Sequence, residues 1–152
     1  MIDLLDRKIL SLLQKDATLT VAELGERIGL SATPCWKRVK RLEEEGFIER
    51  RVALVNRAKI GMNVTVFVSI RTNQHDEAWL SEFAKATALL PEIVELYRMS
   101  GDVDYLMKVV VPDIDGYDRF YKKLIKAVKL TDVSSTFAME QIKFSTEMPL
   151  ES

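Results

Sequence analysis

The spacing of Gly25, Gly29 and Cys35 constrains this chain more than any other feature. It sets a small residue inside one helix-forming segment, a turn glycine after it and an apolar position inside the next. Gly25 permits close helix packing, and Gly29 sits where a positive φ is cheap. Thr20 with Glu23 reads as a capping box that opens the first of these segments, with Val21, Leu24 and Ile28 inward. Ser31 reads as the N-cap of the next helix. Pro34 is tolerated in its first turn, where amides lack intrahelical partners, and Gly46 suits the position past its end. A preceding helix is expected from its cap Asp3 to about Lys15, because Leu5, Ile9, Leu12 and Leu13 recur at helical spacing. Three helices, the last two joined by a tight turn, are therefore predicted for the front of the chain.

Stepping 100° per residue from Ser31 to Gly46 separates packing from chemistry. Ala32, Cys35, Val39 and Leu42 fall in one apolar arc; Thr33, Pro34, Trp36, Lys37, Lys40 and Arg41 lie opposite, with Arg38 on the flank. Cations, a small hydroxyl and an aromatic ring on one face suit a helix that enters a DNA major groove. The candidate DNA-binding residues are Ser31, Thr33, Pro34, Trp36, Lys37, Arg38, Lys40 and Arg41. Thr33, Trp36 and Lys37 are placed on bases or sugars, and Arg38, Lys40 and Arg41 on phosphates or bases. The competing readings are an ordinary solvated helix face and a three-helix bundle that binds nothing. Beyond Gly46, Phe47-Ile48 and Val52 to Val55 read as short strands around Glu49-Arg50-Arg51. They make either a wing with arginines near the DNA backbone or a linker strand with solvated arginines.

A net charge of −1 is unusual for such a role until the chain is divided. Residues 1–61 hold 12 Lys and Arg against 9 Asp and Glu, a net of +3, and residues 62–152 hold 10 against 14, a net of −4. A basic front and an acidic rear domain follow. One cysteine excludes an internal disulfide and fits a reducing compartment. Together with the lone His75 it cannot furnish the usual zinc site. There is no apolar run long enough to span a membrane, no signal-peptide layout, no phosphate-binding glycine loop and no convergent nucleophile–base set. No cofactor, metal or catalytic residue is expected.

Behind a polar connection at 56–61, Met62 to Arg71 alternates, with Val64, Val66, Val68 and Ile70 on one side and Thr65, Phe67 and Ser69 on the other: a strand. A helix over 76–90, strands over 93–99 and 105–111 around the turn SGDVD, a helix through Ile114, Tyr117, Tyr121, Leu124 and Val128, and a strand over 133–144 complete a βαββαβ order. That order predicts a ferredoxin-like domain, a sheet with both helices on one face. Phe67 and other apolar groups on the opposite face call for a cover, and a second copy of the chain is the economical one.

These residues resemble the Lrp/AsnC family of transcriptional regulators. The resemblance spans nearly the whole chain and rests on LDRKILSLLQKDA (5–17), TPCWKRVKRLEEEGFI (33–48), MSGDVDYLMKVVVPD (99–113) and AMEQIK (138–143). The tryptophan after Pro-Cys is similar to the branch that holds the cysteine-responsive detoxification regulators. The resemblance implies an α+β protein: a winged helix-turn-helix DNA-binding domain at 1–55, a linker at 56–61, and a ferredoxin-like effector-binding and oligomerisation domain at 62–152. It implies double-stranded DNA as partner, homodimers that assemble to octamers, and a cytoplasmic protein. It also implies an amino-acid effector bound near Ser100, Gly101, Asp102, Asp104 and Tyr105. Asp104 can pair with an ammonium group, and the amides around Ser100 and Gly101 can receive a carboxylate. Gly101 and Asp104 can equally be plain turn-formers. The expected function is a sequence-specific DNA-binding regulator responsive to an amino acid; the alternatives are an architectural DNA-binding protein without a ligand and a small-molecule sensor or enzyme on the rear domain.

Overall fold

A computed structural model describes residues 1–150. The front holds α1 (Leu4–Lys15), α2 (Val21–Ile28) and α3 (Ala32–Glu44); the rear holds β1 (Val64–Arg71), α4 (Glu77–Ala88), β2 (Ile93–Arg98), β3 (Tyr105–Val111), α5 (Ile114–Ala127) and β4 (Asp132–Phe137). The helix starts follow local chemistry. Asp3 and Asp6 form a reciprocal capping box at α1, and Thr20 and Glu23 form another at α2. Asp76 and Asp113 each accept an amide of the first turn of α4 and α5. Gly29 ends α2 with a φ of 76°. Ser31 stands at the N-cap of α3, but its hydroxyl makes no cap hydrogen bond, contrary to the expectation.

Ile9, Leu10, Leu19, Leu24, Cys35, Val39 and Leu42 form the front core. Ala32, expected in the buried arc of α3, is exposed, because the helix begins there and no element covers its first turn. The rear sheet is antiparallel in the order β2-β3-β1-β4, as a ferredoxin-like domain requires. Its register sets Val66 opposite Val109, Val68 opposite Met107 and Ile70 opposite Tyr105. All six are buried, and Trp79, Phe83, Phe120 and Leu124 of α4 and α5 pack on them. The period-2 pleat sends Phe67 to the other face, where it is 38% exposed.

Two expectations change. No strand forms over 47–55 among the described residues. Val52, Leu54 and Val55 are exposed, and no strand among the described residues pairs with this segment. The last strand ends at Phe137 rather than at residue 144, where pairing with β1 runs out. Residues 143–150 cluster with Met1–Leu54 in a front compact unit, while Val55–Ile142 forms the rear unit. Residues 143–150 are the end of the segment read as the rear domain. They are held by Gln14, whose side-chain amide donates to the Met148 carbonyl and accepts from the Met148 amide, and by Leu150 packing on the front core.

Candidate nucleic-acid interface and effector turn

The second and third helices meet through Gly25. Leu30 N–H donates to the Gly25 carbonyl at 2.8 Å, folding the turn over a position that has no room for a side chain. This fixes α3 with Cys35, Val39 and Leu42 inward. Trp36 is then 51% exposed, and Thr33, Pro34, Lys37 and Lys40 stand in solvent beside it. Lys37 and Lys40 have no ion-pair partner among the described residues.

The two arginines of α3 differ. Arg38 donates from Nη1 to Asp3 Oδ2 at 2.6 Å and to Asp6 Oδ1 at 2.8 Å. Arg41 donates from Nη2 to Asp6 Oδ2 at 2.5 Å and from Nη1 to Glu45 at 3.3 Å. The Asp6 side chain is 1% exposed. Burial by itself pushes its carboxyl up, but the Asp3 amide and the two guanidinium groups outweigh that and leave it lowered to about 2. Asp3 is also held low, by the Asp6 amide and then by Arg38. Together these groups line an open cleft of about 500 Å³ with Met1 and Lys37. Sequence reading took Asp3 only as a cap and passed over Asp6. A signal was present: Asp6 lies three and four positions before Ile9 and Leu10, on the buried stripe of α1, where a carboxylate requires a cation.

In the rear unit, the turn between β2 and β3 is tied to β1. Asp104 N–H donates to the Ile70 carbonyl at 2.9 Å, and its carboxylate accepts from Thr72 N–H at 2.8 Å. Tyr105 is buried, its ring 4.8 Å from that of Phe83. Ser100, Gly101 and Asp102 are exposed, with Gly101 at a φ of 103°. Asp104 is thus tied to β1 and Tyr105 lies in the core, while Ser100, Gly101 and Asp102 face solvent. Among the described residues no cluster of His, Cys, Asp and Glu can hold a metal ion, and no helix is long and apolar enough to cross a membrane.

Residues 2–49 match the winged helix-turn-helix DNA-binding family, and residues 65–148 match the Lrp/AsnC ligand binding domain. The chain is 52% identical over 149 residues to the glutamate uptake regulatory protein of Zymomonas mobilis, covering 98% of this chain and 91% of that one. Its fold is similar to that of an AsnC family transcriptional regulator from Agrobacterium tumefaciens, with a TM-score of 0.95, 58% identity and 97% of each chain covered. It is also similar to a transcriptional regulator of Neisseria meningitidis solved as a complex with L-Met, with a TM-score of 0.92, 29% identity, and 98% of this chain and 97% of that one covered. A winged helix-turn-helix DNA-binding domain and an Lrp/AsnC ligand binding domain are thus matched in sequence, nearly the whole chain is matched in fold, and the chain belongs to the Lrp/AsnC family of transcriptional regulators.

Proposed function

We propose that this protein regulates transcription by reading duplex DNA with the outward arc of α3, and that its DNA binding or assembly responds to a small amino acid held by the rear unit. The observation that carries this reading is the division of α3: Cys35, Val39 and Leu42 are sealed in a core, while Trp36, Lys37 and Lys40 stand in solvent. Lys37 and Lys40 are one turn apart and can meet successive phosphates. Thr33 and Trp36, nearer the helix start, reach bases or sugars; Ser31 and Pro34 flank the same approach. The effector contacts are assigned to the exposed part of the rear turn. Amides around Ser100 and Gly101 receive the carboxylate, Asp102 offers a solvent-facing acid to the ammonium group, and Asp104 and Tyr105 hold the turn in place. The Neisseria relative's complex with L-Met supports the ligand class. The sheet face that carries Phe67 is assigned to a second copy of the chain, giving dimers that assemble further. No reaction is assigned to the protein, and a DNA partner supports assigning it to the cytoplasm.

Two measurements test the reading. A thermal-shift screen of the amino acids, with cysteine, methionine, glutamate and leucine among them, finds one that raises the melting temperature; at a hundredfold excess over Kd the stabilisation is about 2.7 kcal/mol. No shift with any of them removes the effector half. DNA sites selected from a random pool are then compared with random duplex over a salt range. The double change Lys37→Ala plus Lys40→Ala lowers the slope of log affinity against log salt by about 2, at roughly 0.9 per phosphate contact. Binding unchanged in this variant makes the arc a solvated face. A ratio of selected to random affinity near one makes the protein an architectural binder.

A further inference from the structure

We propose that Asp6 of α1 is a positioning residue that sets DNA specificity, clamping Arg38 and Arg41 so that, of the four cations of α3, Lys37 and Lys40 are the two presented without an ion pair among the described residues. The proposal rests on the DNA-binding role of α3. The geometry is a two-sided fork: Asp6 Oδ1 accepts from Arg38 at 2.8 Å and Asp6 Oδ2 from Arg41 at 2.5 Å. Asp3 takes a second hydrogen bond from Arg38, and Glu45 a second from Arg41. The carboxylate that joins the two arginines is buried, whereas Asp3 and Glu45 are half exposed. A buried carboxylate cannot exchange these partners for water without cost, so the arginines stay on it when an outside anion approaches. The Asp6 carboxyl, held near 2, is fully charged at neutral pH and keeps both clamps closed.

Two consequences follow for DNA. Phosphate attraction is independent of sequence and grows with each cation offered. Removing two of the four cations of α3 from that role lowers the affinity for random duplex without touching Thr33 or Trp36. The fork also bridges α1 and α3 across 32 and 35 residues of sequence, fixing the rotation of α3 about its axis and with it the outward aim of Lys37 and Lys40. Discrimination between sites is raised by both effects: weaker sequence-independent binding and a more rigid reading face.

The test uses the full chain with the near-isosteric change Asp6→Asn. Binding to a selected duplex and to a random duplex is measured from 50 to about 300 mM salt, with folding followed by circular dichroism. The expected result is tighter binding to random DNA at low salt, a salt slope steeper by about one to two, and a ratio of selected to random affinity reduced about tenfold. A purely structural Asp6 would lower the melting temperature and weaken both affinities in parallel at unchanged slope; that outcome overturns the proposal. Should Asp6→Asn not fold, Arg38→Gln serves, because Asp6 keeps Arg41. Its slope on random DNA then equals that of the unsubstituted protein, and a loss of about 0.9 would mean that Arg38 already contacts a phosphate and would overturn the clamp. If the unsubstituted protein bound no duplex at any salt, the DNA-binding role itself would fail, which is a separate result from failure of the clamp.

Discussion

Gly25→Ala is the substitution for which the structure and simple helix chemistry give opposite signs. Alanine in the interior of α2 is favoured over glycine by about 1 kcal/mol of helix propensity. At position 25 its Cβ would lie 2.4 Å from the Leu30 carbonyl oxygen and 3.4 Å from the Leu30 carbonyl carbon. The obstacle is backbone rather than a side-chain tip, so relief requires the α2–α3 turn to move. Overpacking of this kind costs about 1–3 kcal/mol. Displacing Leu30 also disturbs its hydrogen bond to the Gly25 carbonyl, worth about 1 kcal/mol. Against the propensity gain, the net loss is about 2 kcal/mol. For a unit of this size each kilocalorie moves the midpoint by roughly 4–8 °C, so a drop of about 10 °C is expected. The two tryptophans, Trp36 and Trp79, fall one in each unit, so a Trp79→Phe background lets Trp36 report the front unit alone during thermal or urea unfolding. Gly29→Ala is the matched control: nothing lies within 4 Å of its Cβ position, and its cost of about 1–2 kcal/mol comes only from the φ of 76°. A midpoint for Gly25→Ala equal to or above that of the parent would refute the close-approach argument and leave propensity as the ruling factor.

Two further predictions rest on buried groups. Asp6 is held at about 2 against an ordinary 3.8, a lowered carboxyl, so its contribution of about 2 kcal/mol is complete above about pH 5 and is lost as pH falls through 2; urea midpoints of the front unit at pH 5 and pH 2.5 should diverge, and the gap should narrow in Asp6→Asn, leaving the part that the lowered Asp3 and Asp16 supply. Cys35 is fully buried and burial pushes its thiol up, so labelling of the native protein by a thiol reagent at pH 8 should wait on opening of the front unit; prompt stoichiometric labelling would contradict the packing of α3.

Much of the fold was legible in the sequence because its signals are local. Capping boxes need residues three apart, so Thr20 with Glu23 announced α2, and the alternation of Val64 to Ile70 announced β1. The inward set of α3, Cys35, Val39 and Leu42, followed from a 100° step alone. The errors lie where a partner decides. Val52 to Val55 has the composition of a strand, but a strand exists only with a ladder beside it. The stretch 138–144 continues the pattern of β4 past the point where β1 can pair with it.

By itself the sequence determined the order of the five helices and the four paired strands, the helix starts and which arc of α3 is greasy, since each depends on neighbours within a turn or a pleat. Only the tertiary structure decided which charges of that helix are spoken for. Arg38 and Lys40 look alike along the chain, yet one is bonded to a buried carboxylate of α1 and the other faces water. The reason is that Coulombic and hydrogen-bond energies depend on distance in space and on burial. Neither quantity is written in the order of residues.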